Sequence, residues 1–457
     1  MSLDQPAAFR TRAIAGVLHP TTADEVAGIV RSGPRPLHPV CTGRNWGLGS
    51  GLPVGDGATV LDLAGLDRVR SIDLDRGYAV VEPGVTQGAL TDLVRGTDRI
   101  FNLTGSSLHT SVIGNALERG VGVHRARTED LVGLEVVLAD GHREQVGWWP
   151  GTSAVPRQHG LGPTLTHLFT QSSFAVVTAA VVRLLPRPEE VRVLPFTFAP
   201  DDLADAVDVL RSWTAQKLVP PTTKVYNPVA AQANGVRDDY LAHVCLSGSG
   251  EVVEALGSVL AAAARRSPLV PAPASAADEV VRGTYAGDPD PADTWFLRKS
   301  QGCPAGRFDA ERGLLMFLPV VPFSGAAVTR AAEMVRACCV AGPGITMNVL
   351  DSDTVDHVIG IGFPAGDPAG VAEARETLDR LHQVFGAEGF LPYRRDVDRP
   401  GTATALQARI GQALDPAGVF AAGRYASGQP SSAASLRDAS DSPQRNPIRR
   451  DSSTASV

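Results

Sequence analysis

A glycine-rich turn set between two strand-like runs constrains this chain more than any other feature. In 42-TGRNWGLGSGLP-53, Thr42, Gly43, Gly47, Gly49, Ser50 and Gly51 leave successive main-chain N–H groups unshielded by side chains. Such a turn can line a concave nest for a phosphate without using lysines. The run 36-PLHPVCT-42 before it reads as a strand, and TVLDL after it reads as another. A G-x-G-x-x-G dinucleotide loop needs a helix directly after the glycines, so that its N-terminus meets the pyrophosphate. The following strand excludes that arrangement. No GxxxxGK[ST] segment occurs either, which removes support for ATP or GTP hydrolysis.

The rest of the chain divides by rhythm. Residues 20–190 are dominated by short β-like runs at Val60-Leu61, Arg68–Leu74, Tyr78–Val81, Leu134–Ala139 and Val176–Leu185, with short helices at Thr22–Ser32 and after Thr86. Beyond residue 190 a strand-then-helix pattern recurs about four times. In 201-DDLADAVDVLRSWTAQKLV-219, Leu203, Ala206, Val207, Leu210 and Trp213 fall on one helical face. Asp367 caps a last long helix that has Pro368 at its first position and Gly386 just beyond its end. These patterns predict an α+β fold. Residues 427–457 are polar and Ser-rich, and predict a disordered tail.

At 457 residues and 43% hydrophobic content the chain can bury sizeable cores, while a net charge of −7 argues against nucleic acid as partner. No apolar run reaches the roughly 18 residues of a membrane helix, and MSLDQPAAFRTRA lacks a signal-peptide core, so a cytoplasmic protein is expected. Five scattered cysteines without CxxC spacing predict neither a disulfide framework nor a zinc site. Asp351-Ser352-Asp353 reads as a turn between strands rather than a metal site, and no metal is expected.

Four glycine-rich segments in order carry a resemblance. They are Gly43-Arg44-Asn45-Trp46-Gly47, Tyr78-Ala79-Val80-Val81-Glu82-Pro83-Gly84-Val85, the turn from Thr104 into 114-GNALERGVG-122, and Leu168 through Pro188. With Glu135–Gly141 and the closing 413-ALDPAGVFAAGRY-425, this order resembles the vanillyl-alcohol oxidase / p-cresol methylhydroxylase family of FAD enzymes over about residues 20 to 425. The resemblance implies a two-lobed FAD-binding domain of mixed sheets and helices, made of residues 1–190 and a return segment 396–426. Residues 191–395 would be an α+β substrate cap with an antiparallel sheet. Thr42, Gly43, Arg44, Asn45, Trp46 and Gly47, together with Gly105, Ser106 and Ser107, would cradle the pyrophosphate. Pro83, Gly84, Ser111, Gly114, Asn115, Gly120, Val176, Val177 and Arg424 complete the implied cofactor contacts.

The resemblance also places chemistry. Tyr393 and Arg394 match the family's pair that binds a phenolate, since a phenol and a guanidinium can donate to one oxyanion. Ser106 matches the position near flavin N5 that is an aspartate in the alcohol oxidase. His124 is a further acid–base candidate, with a local hydrogen-bonding role as the alternative. Leu48, Leu314 and His357 are expected in the substrate pocket. Leu48 stands where phenol-binding relatives have a tyrosine. Leu314 and Asn45 stand where tethering residues occur, so the FAD is expected to be non-covalent. The implied activity is hydride removal from a phenol, alcohol or amine, with dioxygen or another acceptor, in a possible homodimer. A berberine-bridge-like cyclase or amine oxidase and a flavin carrier with little turnover are the alternatives.

Overall fold

The computed structural model describes residues 6, 8–44, 46–153, 155–220, 223–305, 308, 312–340 and 342–425. Asn45 and the tail expected at 427–457 lie outside these. β1 (Gly16–Leu18), β2 (Leu37–Val40) and β3 (Thr59–Asp62) form a parallel sheet in the order β1-β3-β2. Helix Ala23–Ser32 links β1 to β2 and starts at Thr22, whose hydroxyl accepts from Glu25 N. It buries Val26, Ala27 and Val30 against Leu37, Leu61 and Leu63. The chain returns to this sheet near its end: Leu37 N donates to Val419 O and Ala421 N donates to Leu37 O, both at 2.8 Å.

β4 (Val69–Asp73), β5 (Tyr78–Val81), β6 (Arg99–Ile100), β7 (Leu131–Val137), β8 (Arg143–Gly147), β9 (Val176–Arg183) and β10 (Leu185–Pro186) follow. β6 and β10 pair with each other, and the others make an antiparallel sheet in the order β4-β5-β9-β7-β8. All seven residues of β7 are buried, which fits a central strand covered on both faces.

β11 (Glu190–Phe198), β12 (Lys224–Tyr226), β13 (Tyr240–Gly248), β14 (Val270–Pro271), β15 (Arg312–Phe317), β16 (Val320–Pro322), β17 (Gly344–Val349) and β18 (Thr354–Pro364) build one antiparallel sheet. The order is β14-β11-β13-β12-β17-β18-β15, with β16 also on β18. Side chains alternate between its faces. One face, with Val225, Ala242, Met347 and Ile359, packs with Leu210, Leu260, Met334 and Leu381 of helices Leu203–Ala215, Gly250–Ala264, Gly325–Cys338 and Pro368–Ala387. Each fully buried side chain of this kind contributes about 1.5–3 kcal/mol. The other face, with Val191, Val193, Tyr226, Leu241 and Cys245, shares a core with Phe101, Leu103 and Val123 of the N-terminal sheets' region. Among the described residues no helix is long and apolar enough to cross a membrane.

The fold is α+β, as the sequence predicts. The stripe Leu203, Ala206, Val207, Leu210 and Trp213 is buried on its helix, and Ser324 and Asp367 cap theirs. Asp353 N donates to Asp351 Oδ1 at 2.8 Å in the turn before β18. One boundary differs. Helix Pro368–Ala387 runs through Gly386, and Gly389, at φ 78°, takes the left-handed position instead. Strands β12 and β17 and helices Ala276–Tyr285 and Pro289–Lys299 were not marked by periodicity. β12 has three residues, and the helix at 289 opens with 288-DPDP-291, which reads as loop.

Candidate active site

The glycine turn leaves β2 and folds back to β3 with no helix after it. Gly43 (φ 66°) is exposed, and a Cβ there would meet only Val40 Cγ1 at 3.6 Å, so its backbone lines open space. Arg44 is half-buried. Gly47 (φ 75°) is closed instead: a Cβ would lie 2.7 Å from Met316 Cγ, and Gly47 O accepts from Met316 N at 2.9 Å. This bond seats the turn on β15. Trp46 packs at a tilt against both Phe296 and Phe308, with centroids 5.2 and 5.4 Å away, and Leu314 joins that cluster. Leu48 is 1% exposed, and its carbonyl accepts from Val397 N.

A second loop, 104–111, is held against the first. Ser111 N donates to Thr42 Oγ1 at 3.2 Å, while Ser111 Oγ donates to Pro83 O at 2.6 Å and accepts from Gly114 N. Gln87, which sequence patterns did not single out, sets this loop's shape. Its amide donates to Ser106 O and Ser107 O, and its oxygen accepts from Thr104 N. Ser106 Oγ sits in a hydroxyl chain, 2.6 Å from Thr104 Oγ1 and 2.8 Å from Thr110 Oγ1. Gly84 is required by packing, because a Cβ would lie 2.2 Å from Ala64 O. Gly120 is required in the same way, with Asn115 Oδ1 only 1.9 Å from where its Cβ would be.

Tyr393 and Arg394 come to this place on a segment pinned from both sides. Tyr393 N donates to Leu318 O, and Tyr393 O accepts from Gln171 Nε2 at 2.8 Å. Gln171 adopts φ 49°, a strained value for a non-glycine residue. Arg394 Nε donates to Glu118 O at 2.6 Å, while Arg394 Nη2 is buried with no partner. Glu118 also receives Arg424 Nη2 at 2.6 Å and the Tyr425 hydroxyl. Burial would raise its pKa, but Arg424 and Arg394 outweigh it and hold the carboxyl below the ordinary range. Burial pushes the Tyr393 phenol well above its ordinary value, so it stays a neutral donor.

Behind this pair the eight-stranded sheet carries a polar row. Register places His243 opposite Lys224, Lys224 opposite Asn348, and Asn348 opposite Asp356, so all four share one face. All are buried. His243 lies 2.9 Å from Asp278 Oδ1. Lys224 Nζ donates to Asn348 Oδ1, and Asn348 Nδ2 donates to Asp356 Oδ1 at 2.7 Å. Asp356 Oδ2 has no hydrogen-bond partner. Burial raises Asp356 to about 6, and the charge of Lys224 partly opposes this. Burial lowers Lys224 to about 8. Sequence patterns missed this row. The available signal was a polar residue inside each of several otherwise apolar strands.

The remaining expected residues fall as follows. His124 Nε2 lies 2.9 Å from Tyr285 O at the end of helix Ala276–Tyr285, and burial lowers its pKa; its contact joins two parts of the chain. His357 sits on the helix-packed face, opposite Met347, and so faces away from Asp356. This corrects its expected place in the pocket: alternation turns the two neighbours to opposite sides of the sheet. Burial lowers it to about 3, leaving a neutral ring in the core. Val176 and Val177 form ladder pairs with Val137 and Val136, their side chains buried in two different cores.

The site fits FAD by its open backbone and unmet polar atoms. Gly43 presents main chain to open space, and Trp46 Nε1 and Asn115 Oδ1 are buried without partners. Buried polar groups left so cost about 1–3 kcal/mol each, a cost that a bound polar cofactor removes. Residues 14–147 match the family model described as an FAD binding domain. The chain is 29% identical to 1'-carboxy-chondrochloren decarboxylase of Chondromyces crocatus over 91% of each chain. It is 31% identical to the 4-cresol dehydrogenase (hydroxylating) flavoprotein subunit of Pseudomonas putida over 48% of this chain and 45% of that one. Among solved structures, p-cresol methylhydroxylase with substrate bound superposes with a TM-score of 0.81 at 22% identity, covering 92% of this chain and 91% of that one. The 4-ethylphenol oxidase of Gulosibacter chungangensis, in its isoeugenol complex, gives 0.79 at 22% identity, covering 93% and 92%. With an FAD binding domain over residues 14–147 and the fold of p-cresol methylhydroxylase, the chain is an FAD-dependent oxidoreductase similar to these flavoproteins.

Proposed function

We propose that this enzyme removes a hydride from an activated C–H bond of a small substrate bearing a phenol, alcohol or amine, and that its FAD is held without a covalent tether. In this proposal residues 1–190 and 396–426 hold the FAD, and 191–395 close over the substrate. Bound FAD supplies the hydride acceptor, its N5 atom, and passes electrons on to dioxygen or another acceptor. The unpartnered Nη2 of buried Arg394, beside Tyr393, is the observation that carries the reading. Glu118 O fixes the guanidinium through Nε, which leaves Nη2 oriented before substrate arrives. Nη2 and the Tyr393 hydroxyl can then donate to one substrate oxygen and stabilise its negative charge. Asp356, with a free Oδ2 and a pKa near 6, can take the substrate's proton at neutral pH.

The names of p-cresol methylhydroxylase and 4-ethylphenol oxidase support a para-substituted phenol. Leu48 cannot donate a hydrogen bond, so the oxygen would rest on Tyr393 and Arg394 alone. Leu314, packed with Trp46, has no group to tether the flavin. Cytoplasmic residence and a homodimer are parts of the same proposal. Tyr393→Phe and Arg394→Met test it. Each should lower kcat/KM on para-alkylphenols by roughly 100-fold, the cost of a lost oxyanion donor, with FAD still bound. Wild-type rates in both variants would remove the pair from the chemistry.

A further inference from the structure

Two lysines outside the Tyr393–Arg394 pair approach one tryptophan ring beside the second glycine loop. Lys299 is the last residue of helix Pro289–Lys299, and its Nζ donates to Gly105 O. Its side chain is exposed, yet desolvation and then the charge of Lys224 lower its pKa to about 7. Lys224 and Lys299 approach one ring: their Nζ atoms lie 5.9 and 4.5 Å from the Trp295 centroid. Trp295 Nε1 is itself buried without a partner, and a Cβ on Gly105 would touch both Lys299 Nζ and the Trp295 ring. Among the described residues neither ammonium forms an ion pair. Two like charges this close cost free energy unless an anion joins them.

We infer that Lys299 and Lys224, both near the Trp295 ring, form a subsite for a carboxylate carried by the substrate, so that the enzyme acts on phenolic acids or similarly anionic molecules. This rests on the proposed function and deepens it. The FAD pyrophosphate is the other anion that could sit here. Placement favours the substrate, because Lys224 belongs to the row that runs through Asn348 to Asp356. The turn at Gly43 meanwhile offers phosphate a main-chain nest of its own.

The test titrates the FAD-loaded enzyme with para-hydroxybenzoate, para-hydroxyphenylacetate and 3-(para-hydroxyphenyl)propionate, each beside its primary amide. Binding is read from the flavin absorption band, and the corresponding acids without the hydroxyl are run alongside. At least one acid should bind roughly tenfold or more tightly than its amide, the worth of a hydrogen bond to a charged group. Lys299→Met should abolish that preference while leaving amide affinity unchanged, and Lys299→Arg should retain it. A series in which no acid outbinds its amide, or a preference that survives in Lys299→Met, overturns the inference. So does a Lys299→Met variant that loses FAD affinity but keeps the preference, which would assign the lysines to the cofactor phosphate. Acids that bind equally with and without the hydroxyl would count against the phenol reading alone.

Discussion

Replacing Asp356 by asparagine should remove one limb of the protein's pH–stability curve. The carboxyl is fully buried, and burial raises it from 3.8 to about 6. A carboxyl raised on folding binds its proton more tightly in the folded chain. Its contribution is therefore fully present below pH 3.8, declines as pH rises, and is gone above about 6. Integrated between pH 4.5 and 7.5, a shift of this size takes about 2 kcal/mol from the wild type. Lys224 works in the other direction. Burial lowers it to about 8, so its penalty is present below that pH and fades as pH rises toward 10.5. The asparagine variant loses the first limb. It also removes the charge that holds Lys224 up, so relief of the lysine's penalty begins at lower pH and adds in the same direction.

The assay is urea unfolding of wild type and Asp356→Asn at constant excess FAD, at several pH values from about 4.5 to 7.5. Taking the difference between the two proteins cancels the other carboxylates. The variant should gain about 2 kcal/mol on the wild type across this range. A difference that stays constant to about 0.5 kcal/mol would refute a raised Asp356, and with it the proton-acceptor role proposed for this residue.

Two more outcomes follow from the site. Gly120→Ala places a methyl where Asn115 Oδ1 now sits, at an overpacking cost of about 1–3 kcal/mol; FAD affinity, read by flavin fluorescence on dilution, should fall about tenfold, and an unchanged affinity would separate Asn115 from the cofactor. Acid precipitation should release yellow flavin into the supernatant, whereas colour held in the pellet would show a tether and contradict the role given to Leu314.

The glycine turns were legible because their signals are local. A glycine that must adopt φ 66° or 75° shows itself in the sequence at Gly43 and Gly47, and caps such as Thr22, Ser324 and Asp367 announce their helices within three residues. Tyr393 and Arg394 are adjacent, so finding one finds the other. The second loop was half legible. Its glycine and serines are visible, but Gln87, which shapes it from another segment, reads in the sequence only as a helix-start residue.

The sequence by itself determined the α+β architecture and the glycine-rich turn between two strands, because each depends on neighbours within a few residues, whereas Tyr393 and Arg394 were singled out by the family resemblance. Only the tertiary structure decided which polar residues meet. Lys224 on β12 meets Asn348 and Asp356 of the β17–β18 hairpin only through pairing between distant stretches of chain, and Lys299 arrives on a helix whose opening prolines hide it. Asp356 and His357 show the physical reason most plainly. Alternation guarantees that they point to opposite faces, but both faces of this sheet are buried, one under helices and one toward the N-terminal sheets. Nothing in a two-residue period says which face packs under the helices and which toward the N-terminal sheets; the packing of the whole sheet does.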